Sequence, residues 1–600
     1  MGSETIRNRQ YGADCQTSRK EMTRVLKPFD LQALSIFLCI KVALVTDPAA
    51  GSGNFLTETY LSLRKLENRV IEARLRTGDT LQLGMSLVEN PVKVSISQFY
   101  GIEINDFAVT VAKTALWIAE SQMLRLTENI VHMPLDFLPL KTNATIVEGN
   151  ALRMDWEQVV PKERLNYIMG NPPFVGHQWR SQAQTEDMEV AFYDLKKHGK
   201  LDYVAAWYQK AANYMKETRI QAAFVSTNSI TQGESVGILW KFLFDQKNVE
   251  IQFAYRTFVW TSEAADRAAV HCVIIGFTCY HDERAKKLYD QGGDTQVQHI
   301  NGYLLDAPDV FIEARGKQLT TGLPEMSKGS QPTDGGYLIL SPDERDLLVR
   351  QYPEAGTMIK RFVGSRDLIN DEYRYCLWLK GIPPIVYRKI TPIMERLENV
   401  AKERRKSPTI SVQRDAGTPM LFTQIRQPDT DYLAVPEVSS QNRRYIPIGF
   451  LDPTIVASNK LYLVPDATLF MFGVMMSNVH MAWMRVVCGR LKSDYSYSPA
   501  VYNNFPWPDA TDEQKAKIET TAQAILDARA LYPDSSLADL YDELTMPPEL
   551  RTAHQNNDRA VMEAYGMKAL GPDGKYHWLS ESEVVAELMR RYQALTAKQN

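Results

Sequence analysis

The sequence is poor in the features of an extracellular, membrane-bound or metal-dependent protein. Its 600 residues include only six cysteines, Cys15, Cys39, Cys272, Cys279, Cys376 and Cys488. They are scattered, with no C-x-x-C pair and no Cys/His cluster, which argues against a disulfide framework or a metal site and for reduced thiols in the cytoplasm. One apolar run, Leu31 to Val45, is broken by Lys41. It falls short of the roughly 20 residues that a spanning helix needs, and it lies too deep in the chain for a signal peptide. It reads instead as a helix end running into a strand, and no membrane association is expected. An excess of positive charge is also missing: the net charge is −4, so a polyanion would have to be held by local basic patches. Neither G-x-G-x-x-G nor the Gly-Lys-Ser/Thr of a phosphate-binding loop occurs, and there is no internal repeat or low-complexity segment. What remains is an ordinary globular composition, 44% hydrophobic and 23% charged, long enough for three or four domains.

The most informative stretch is Asn171-Pro172-Pro173-Phe174. It follows a short apolar run, Leu165 to Met169, that reads as a buried strand. Two consecutive prolines cannot continue a strand ladder, so the chain leaves the sheet here in a fixed extended shape. An Asn amide, a Pro carbonyl and an aromatic ring then sit together at the end of a strand. The two oxygens can accept both N–H protons of an exocyclic amine on a flat base, and the ring can stack on the base. Holding both protons localises the amine lone pair and makes the nitrogen a nucleophile.

Upstream lie units of the doubly wound type. Val42 to Thr46 reads as a strand, Asp47-Pro48-Ala49-Ala50-Gly51-Ser52-Gly53 as a glycine-rich turn, and Asn54 opens a helix with Leu56, Tyr60, Leu63 and Leu66 at helical spacing. This arrangement lets backbone approach a nucleotide at the carboxyl end of a strand. An adenosine-type ligand with an amino-acid tail suits the turn better than a triphosphate. A second strand, Val94 to Ile102, ends at Glu103-Ile104, where such folds grip a ribose diol. The following helix, Asp106–Leu126, is expected to bury Ala108, Val111, Ala115 and Ile118. A third strand, Ala144–Val147, leads to Asn150-Ala151, placed to bond an adenine edge with Leu152 or Trp156 beside it. Helix Tyr203–Met215 and strands Ile220–Ser226, Val249–Ala254 and Val270–Phe277 complete an α/β sheet with an antiparallel edge.

The order of these motifs resembles a class I S-adenosylmethionine-dependent DNA methyltransferase that modifies adenine. Longer strings sharpen the resemblance: Phe99 to Asn105, Ala205 to Tyr208, Ala223 to Gly233 and Tyr502 to Pro508 are similar to the MmeI-like restriction–modification proteins over roughly residues 45–585. The resemblance implies a Rossmann-like sheet that binds S-adenosylmethionine through Asp47, Pro48, Ala49, Gly51, Gly53, Asn54, Glu103, Ile104, Asn150 and Ala151. Asn171, Pro172, Pro173 and Phe174 would be catalytic, no metal would be needed, and duplex DNA would be the partner. Such proteins usually carry an N-terminal nuclease. Only 46 residues precede Asp47, so a methyltransferase without cleavage activity is expected. The family's aromatic ahead of Thr-Ser has no counterpart in Gly12 to Ser18. A DNA-binding remnant and a modification subunit served by a separate nuclease remain as alternatives, and a monomer is expected.

The domains implied are a divergent segment 1–46, the methyltransferase 47–330, a mixed α+β target-recognition domain 335–505 and a helical cap 506–600. For DNA, Arg366, Arg388, Lys389, Arg443, Arg444 and Lys492 are the candidate contacts. Residues 388–406 hold seven basic residues against three acidic, a local excess suited to a phosphate backbone. Gln441-Asn442-Arg443-Arg444 carries side chains able to read base edges.

Overall fold

The computed structural model describes residues 43–76, 91–132, 134–135, 143–260, 270–290, 292–313, 315–491, 494–571 and 574–599. The chain forms two units, one ending at Phe311 and the other running from Ile312 with Gln232–Glu234 added.

The first unit is built on a nine-stranded sheet. Its strands are β1 (Val45–Asp47), β2 (Phe99–Glu103), β3 (Thr145–Glu148), β4 (Tyr167–Gly170), β5 (Gln221–Thr227), β6 (Glu250–Trp260), β7 (Val270–Thr278), β8 (Lys286–Asp290) and β9 (Gly293–Val297). The spatial order is β3-β2-β1-β4-β5-β7-β6-β8-β9. The five strands from β3 to β5 are parallel, while β7 inserts antiparallel between β5 and β6. This is the expected Rossmann-like sheet with an antiparallel element. Two further strands extend it, β8 parallel to β6 and β9 antiparallel to β8. The strand order reverses direction between β1 and β4, and ligands of doubly wound sheets bind at such a switch point, beyond the carboxyl ends of the strands.

Helices α1 (Asn54–Arg76) and α2 (Asp106–Val131) share one core with the first strands. Leu56 and Tyr60 of α1 and Val109, Ala112 and Leu116 of α2 pack with Val45, Phe99 and Ile146. Neighbouring residues of β5 serve opposite faces, as strand geometry requires. Phe224 meets the Tyr208 ring at 5.3 Å, while Val225 joins Cys272 and Ile274 in a separate apolar cluster.

Two expectations are corrected here. The strand predicted from Val94 begins only at Phe99, because Ser95 and Gln98 close a capping box around the short turn Ile96–Gln98. That Ser-x-x-Gln pattern satisfies the backbone locally and removes those residues from the ladder. The buried stripe of α2 is Val109, Ala112, Leu116, Ala119 and Met123, one position on from the predicted one, and Ile118 is 54% exposed. The glycine turn decides the phase. Gly53 has φ +81°, and a Cβ there would lie 2.8 Å from Ala112 Cβ and 2.9 Å from its Cα. The helix seats its smallest residue on a turn that has no side chain.

In the second unit, one four-stranded sheet pairs residues 327–328, 461–465, 432–436 and 449–451, and another pairs 339–340, 374–377, 359–363 and 456–457. Ser327 pairs with Leu463, so residues 312–330, expected with the methyltransferase domain, fold with this unit. Helices Asp512–Ala530 and Pro548–Ala564 pack on each other and on helix Leu469–Met475. Gly473 permits it: a Cβ there would meet Ile518 Cγ2 at 2.7 Å, and Asn557 Nδ2 donates to the Gly473 carbonyl at 2.8 Å.

Gly53→Ala combines a disfavoured φ with overlap against Ala112. It is expected to lower the unfolding free energy by about 1–3 kcal/mol, read as a shift in the urea midpoint. An unchanged midpoint would mean that α2 can move off the turn.

Candidate active site

The turns that leave β1, β2 and β3 are tied together by one residue. Glu103, the last residue of β2, accepts from Gly51 N at 2.8 Å through Oε2 and from Asn105 N at 3.1 Å through Oε1. Its own carbonyl accepts from Gly149 N at 2.8 Å. Gly51 adopts φ +54°, a conformation open to glycine at little cost, and this aims its N–H at the carboxylate. Ala50 N donates to Ile102 O at 3.1 Å and Gly53 N to Ala50 O at 2.8 Å. Pro48 O accepts from the Trp207 indole at 3.1 Å. Asn54 starts α1 exposed, and Ile104 beside the glycine turn is 68% exposed.

Asp47 is 1% exposed. Its Oδ1 accepts from Ala49 N at 2.9 Å, whereas Oδ2 is buried without a partner. Burial, reinforced by the Glu103 charge, pushes the carboxyl up to about 7 despite the opposing bond from Ala49. Gly170, at the end of β4, makes room for this carboxylate: a Cβ there would lie 2.5 Å from Asp47 Oδ1.

The next residue is Asn171. Its Oδ1 is likewise buried and unpartnered. Pro172 is buried, Pro173 exposed and Phe174 half-buried, the last packed with Phe55 against the Val225–Cys272–Ile274 cluster. The corner is pinned from the stretch that leads into helix Ala205–Tyr214. Tyr203 N donates to Val175 O at 2.9 Å, and His177 N donates to Asp202 Oδ1 at 3.0 Å. Asp202 Oδ2 takes the Ser229 hydroxyl, which connects the corner to the end of β5. Trp179, five residues after Phe174, is 83% exposed.

Asn150 lies in the turn after β3. Its Oδ1 accepts from Leu152 N at 2.9 Å, and its Nδ2 donates to Asp187 at 3.1 Å. Ala151 is buried, and its carbonyl takes the Trp156 indole at 2.9 Å. The predicted cofactor residues therefore fall on three turns joined through Glu103, and Asn171 is one residue from the glycine that rests on Asp47. Sequence reading gave no role to Asp187, Asp202, Tyr203, Trp207 or Ser229. Trp207 and Ser229 lie in the family-like strings 205–208 and 223–233, and Asp187, Asp202 and Tyr203 lie in neither.

Three family models cover the chain. They are the MmeI DNA-methyltransferase domain over residues 29–290, the MmeI target recognition domain over 306–509 and the MmeI C-terminal domain over 510–599. The solved structure of the Type IIL restriction-modification enzyme MmeI in complex with DNA is 38% identical, with a TM-score of 0.83 over 99% of this chain and 78% of that one. This chain belongs to the MmeI family. DNA methyltransferase A of Bacillus subtilis (strain 168) is 38% identical over 561 residues, 92% of this chain. The present chain spans 61% of the length of that relative.

The MmeI-type recognition region does not use its basic residues evenly. Arg388, Lys389 and Arg444 are exposed. Arg366 is also exposed, in an ion pair with Glu372 at 2.9 Å. Arg443 is half-buried, and Lys492 lies outside the described residues. Within the basic run, Arg404 is 1% exposed and gives its guanidinium to the carbonyls of Pro332, Thr333, Asp415, Thr418 and Leu421 at 2.7–3.1 Å. Arg396 donates to the Tyr337 and Ile339 carbonyls at 3.0 and 3.2 Å. Part of the local charge excess thus serves the fold. Among the described residues no group of three or more His, Cys, Asp or Glu could hold a metal ion, and no helix is long and apolar enough to cross a membrane.

The raised carboxyl of Asp47 has a measurable sign. Between about pH 4 and 7 the folded protein retains a proton that the unfolded chain has released, so this group makes stability fall as pH rises through that window. Its contribution to the slope approaches about 1.4 kcal/mol per pH unit. The difference in urea stability between wild type and Asp47→Asn, followed from pH 4 to 7 without added ligand, is expected to grow in the variant's favour. A pH-independent difference would mean that the carboxylate finds a compensating partner.

Proposed function

We propose that this chain is a site-specific DNA methyltransferase that uses S-adenosylmethionine to methylate the N6 amine of adenine in duplex DNA. The observation that carries this reading is the pair of orphaned buried oxygens, Asp47 Oδ2 and Asn171 Oδ1, on adjacent parallel strand ends. Buried polar atoms ordinarily find partners, and each of these matches a missing donor. Asp47 suits the ammonium of an amino-acid tail, which would return its carboxyl to the charged form. Asn171 suits an amine proton. Glu103, already oriented by two backbone amides, keeps lone pairs for ribose hydroxyls. Ile104 offers an apolar surface for a purine face, and Asn150 an oxygen for its edge.

Bound S-adenosylmethionine supplies an electrophilic sulfonium methyl. The chain's own residues prepare the nucleophile. Asn171 Oδ1 and the Pro172 carbonyl accept the two amine protons, which draws the lone pair out of the ring, and Phe174 stacks on the base. The target adenine has to leave the duplex at a cost of about a few kcal/mol, offset by those bonds and that stacking. Because both oxygens are fixed before the base arrives, little reorganisation is left for the reacting complex. Residues of the second unit would supply sequence recognition, with Arg388 and Lys389 on phosphates.

Asn171→Ala is expected to reduce methyl incorporation into duplex DNA by at least about 10²-fold, with DNA and cofactor affinity little changed. Transfer of labelled methyl followed by nucleoside mass spectrometry reads both the rate and the product. Full turnover in the variant, or a methyl on any atom other than adenine N6, would reject the assignment. Wild-type protein that binds DNA but neither binds cofactor nor transfers methyl would identify a binding remnant instead. Replacing Arg388 and Lys389 together by Ala is expected to shallow the slope of log affinity against log salt by about 1–2, and an unchanged slope would remove them from the interface.

A further inference from the structure

Asp187 lies on helix Gln182–Ala191, beyond the catalytic corner in sequence, and is 3% exposed. Its carboxylate collects three side-chain donors. Asn150 Nδ2 at 3.1 Å and the Tyr203 hydroxyl at 2.6 Å reach Oδ2, and Arg153 Nε reaches Oδ1 at 2.5 Å. Burial opposes the charge, but these bonds together outweigh it and hold the carboxyl below the ordinary carboxylate range. Two of the donors come from the turn after β3. The third belongs to the residue whose N–H holds Val175 at the catalytic corner.

The consequence falls on the Asn150 amide. Its NH2 faces an anion, and its oxygen faces the Leu152 N–H at 2.9 Å. Turning the amide over would set oxygen against carboxylate and NH2 against N–H, so both contacts would become repulsive. One orientation is therefore enforced, and in it Oδ1 still has a second lone pair. A fixed acceptor welcomes a 6-amino purine and disfavours a 6-oxo purine, whose oxygen would meet it lone pair to lone pair.

The geometry points to Asp187 as a positioning residue that locks Asn150 as an acceptor and so selects adenine over a 6-oxo purine in the cofactor. This rests on the proposed cofactor reading. The test uses calorimetry on the full chain with two probes, S-adenosylhomocysteine and S-inosylhomocysteine. Wild type is expected to prefer the adenosyl compound by about tenfold or more, since a site built to bond one polar group rejects its mismatch strongly. In Asp187→Asn only the Leu152 N–H is left to orient the amide, and the preference is expected to fall by about threefold or more, with thermal stability and the urea midpoint reported alongside. Asn150→Ala is expected to erase the preference, and the double variant to add no further loss.

Retention of the wild-type preference in Asp187→Asn overturns the assignment. If that variant does not fold, retention in Asn150→Ala does so. Wild type that binds both probes equally while still methylating DNA overturns this inference and leaves the proposed function standing. Wild type that binds neither probe overturns the cofactor reading, and this inference with it.

Discussion

The site depends on Glu103. Its carboxylate accepts from the turns after β1 and β2, and its backbone carbonyl accepts from the turn after β3. The two bonds to the charged acceptor contribute about 1.5–3 kcal/mol each and the neutral one about 0.5–1.5 kcal/mol, enough to hold three otherwise independent loops in one arrangement. The nearby Asp47 is the counterpart. It is only partly bonded, and its carboxyl is raised chiefly by burial, with a smaller push from its acidic neighbour. One carboxylate is stabilised by the fold and organises it; the other is left strained by burial, which is a common condition of groups that meet a ligand.

A second anchor works from the other side. Residues 202–207 touch three separate loops and a helix. Asp202 reaches His177 and Ser229, Tyr203 reaches Val175 and Asp187, and Trp207 reaches Pro48. The proline corner is stiff in itself, but its direction is set by these bonds. A rigid segment aimed by distant side chains has its polar groups fixed before any ligand arrives, which is preorganisation.

Much of this was legible in the sequence, and the reason is local. The glycine turn carries Gly51 and Gly53 within three residues, and the corner that leaves the sheet carries consecutive prolines, so Asp47–Gly53 and Asn171–Phe174 announce themselves. Glu103 ends β2, at the strand end where the sequence pattern puts it. What could not be read depends on separation along the chain: Asn150 and Asp187 are 37 positions apart, and Trp207 and Pro48 are 159 apart. The phase of α2 was misjudged because two stripes of small and aliphatic residues run along it, and only the glycine beneath Ala112 chooses between them. Arg404 has the composition of a phosphate contact, but its five carbonyl partners come from two loops that no local pattern connects.

The packing at Gly473 bears on how this protein can be rearranged. Sequence models divide the chain between residues 509 and 510, yet the helices beyond that point press on Gly473 and bond its carbonyl. Around helix Leu469–Met475 the interior of the recognition half is completed by its tail. A hybrid that takes its reading module from one relative and its tail from another would join two surfaces never fitted to each other, so specificity would be exchanged most cleanly as a single cassette reaching to the C-terminal helices.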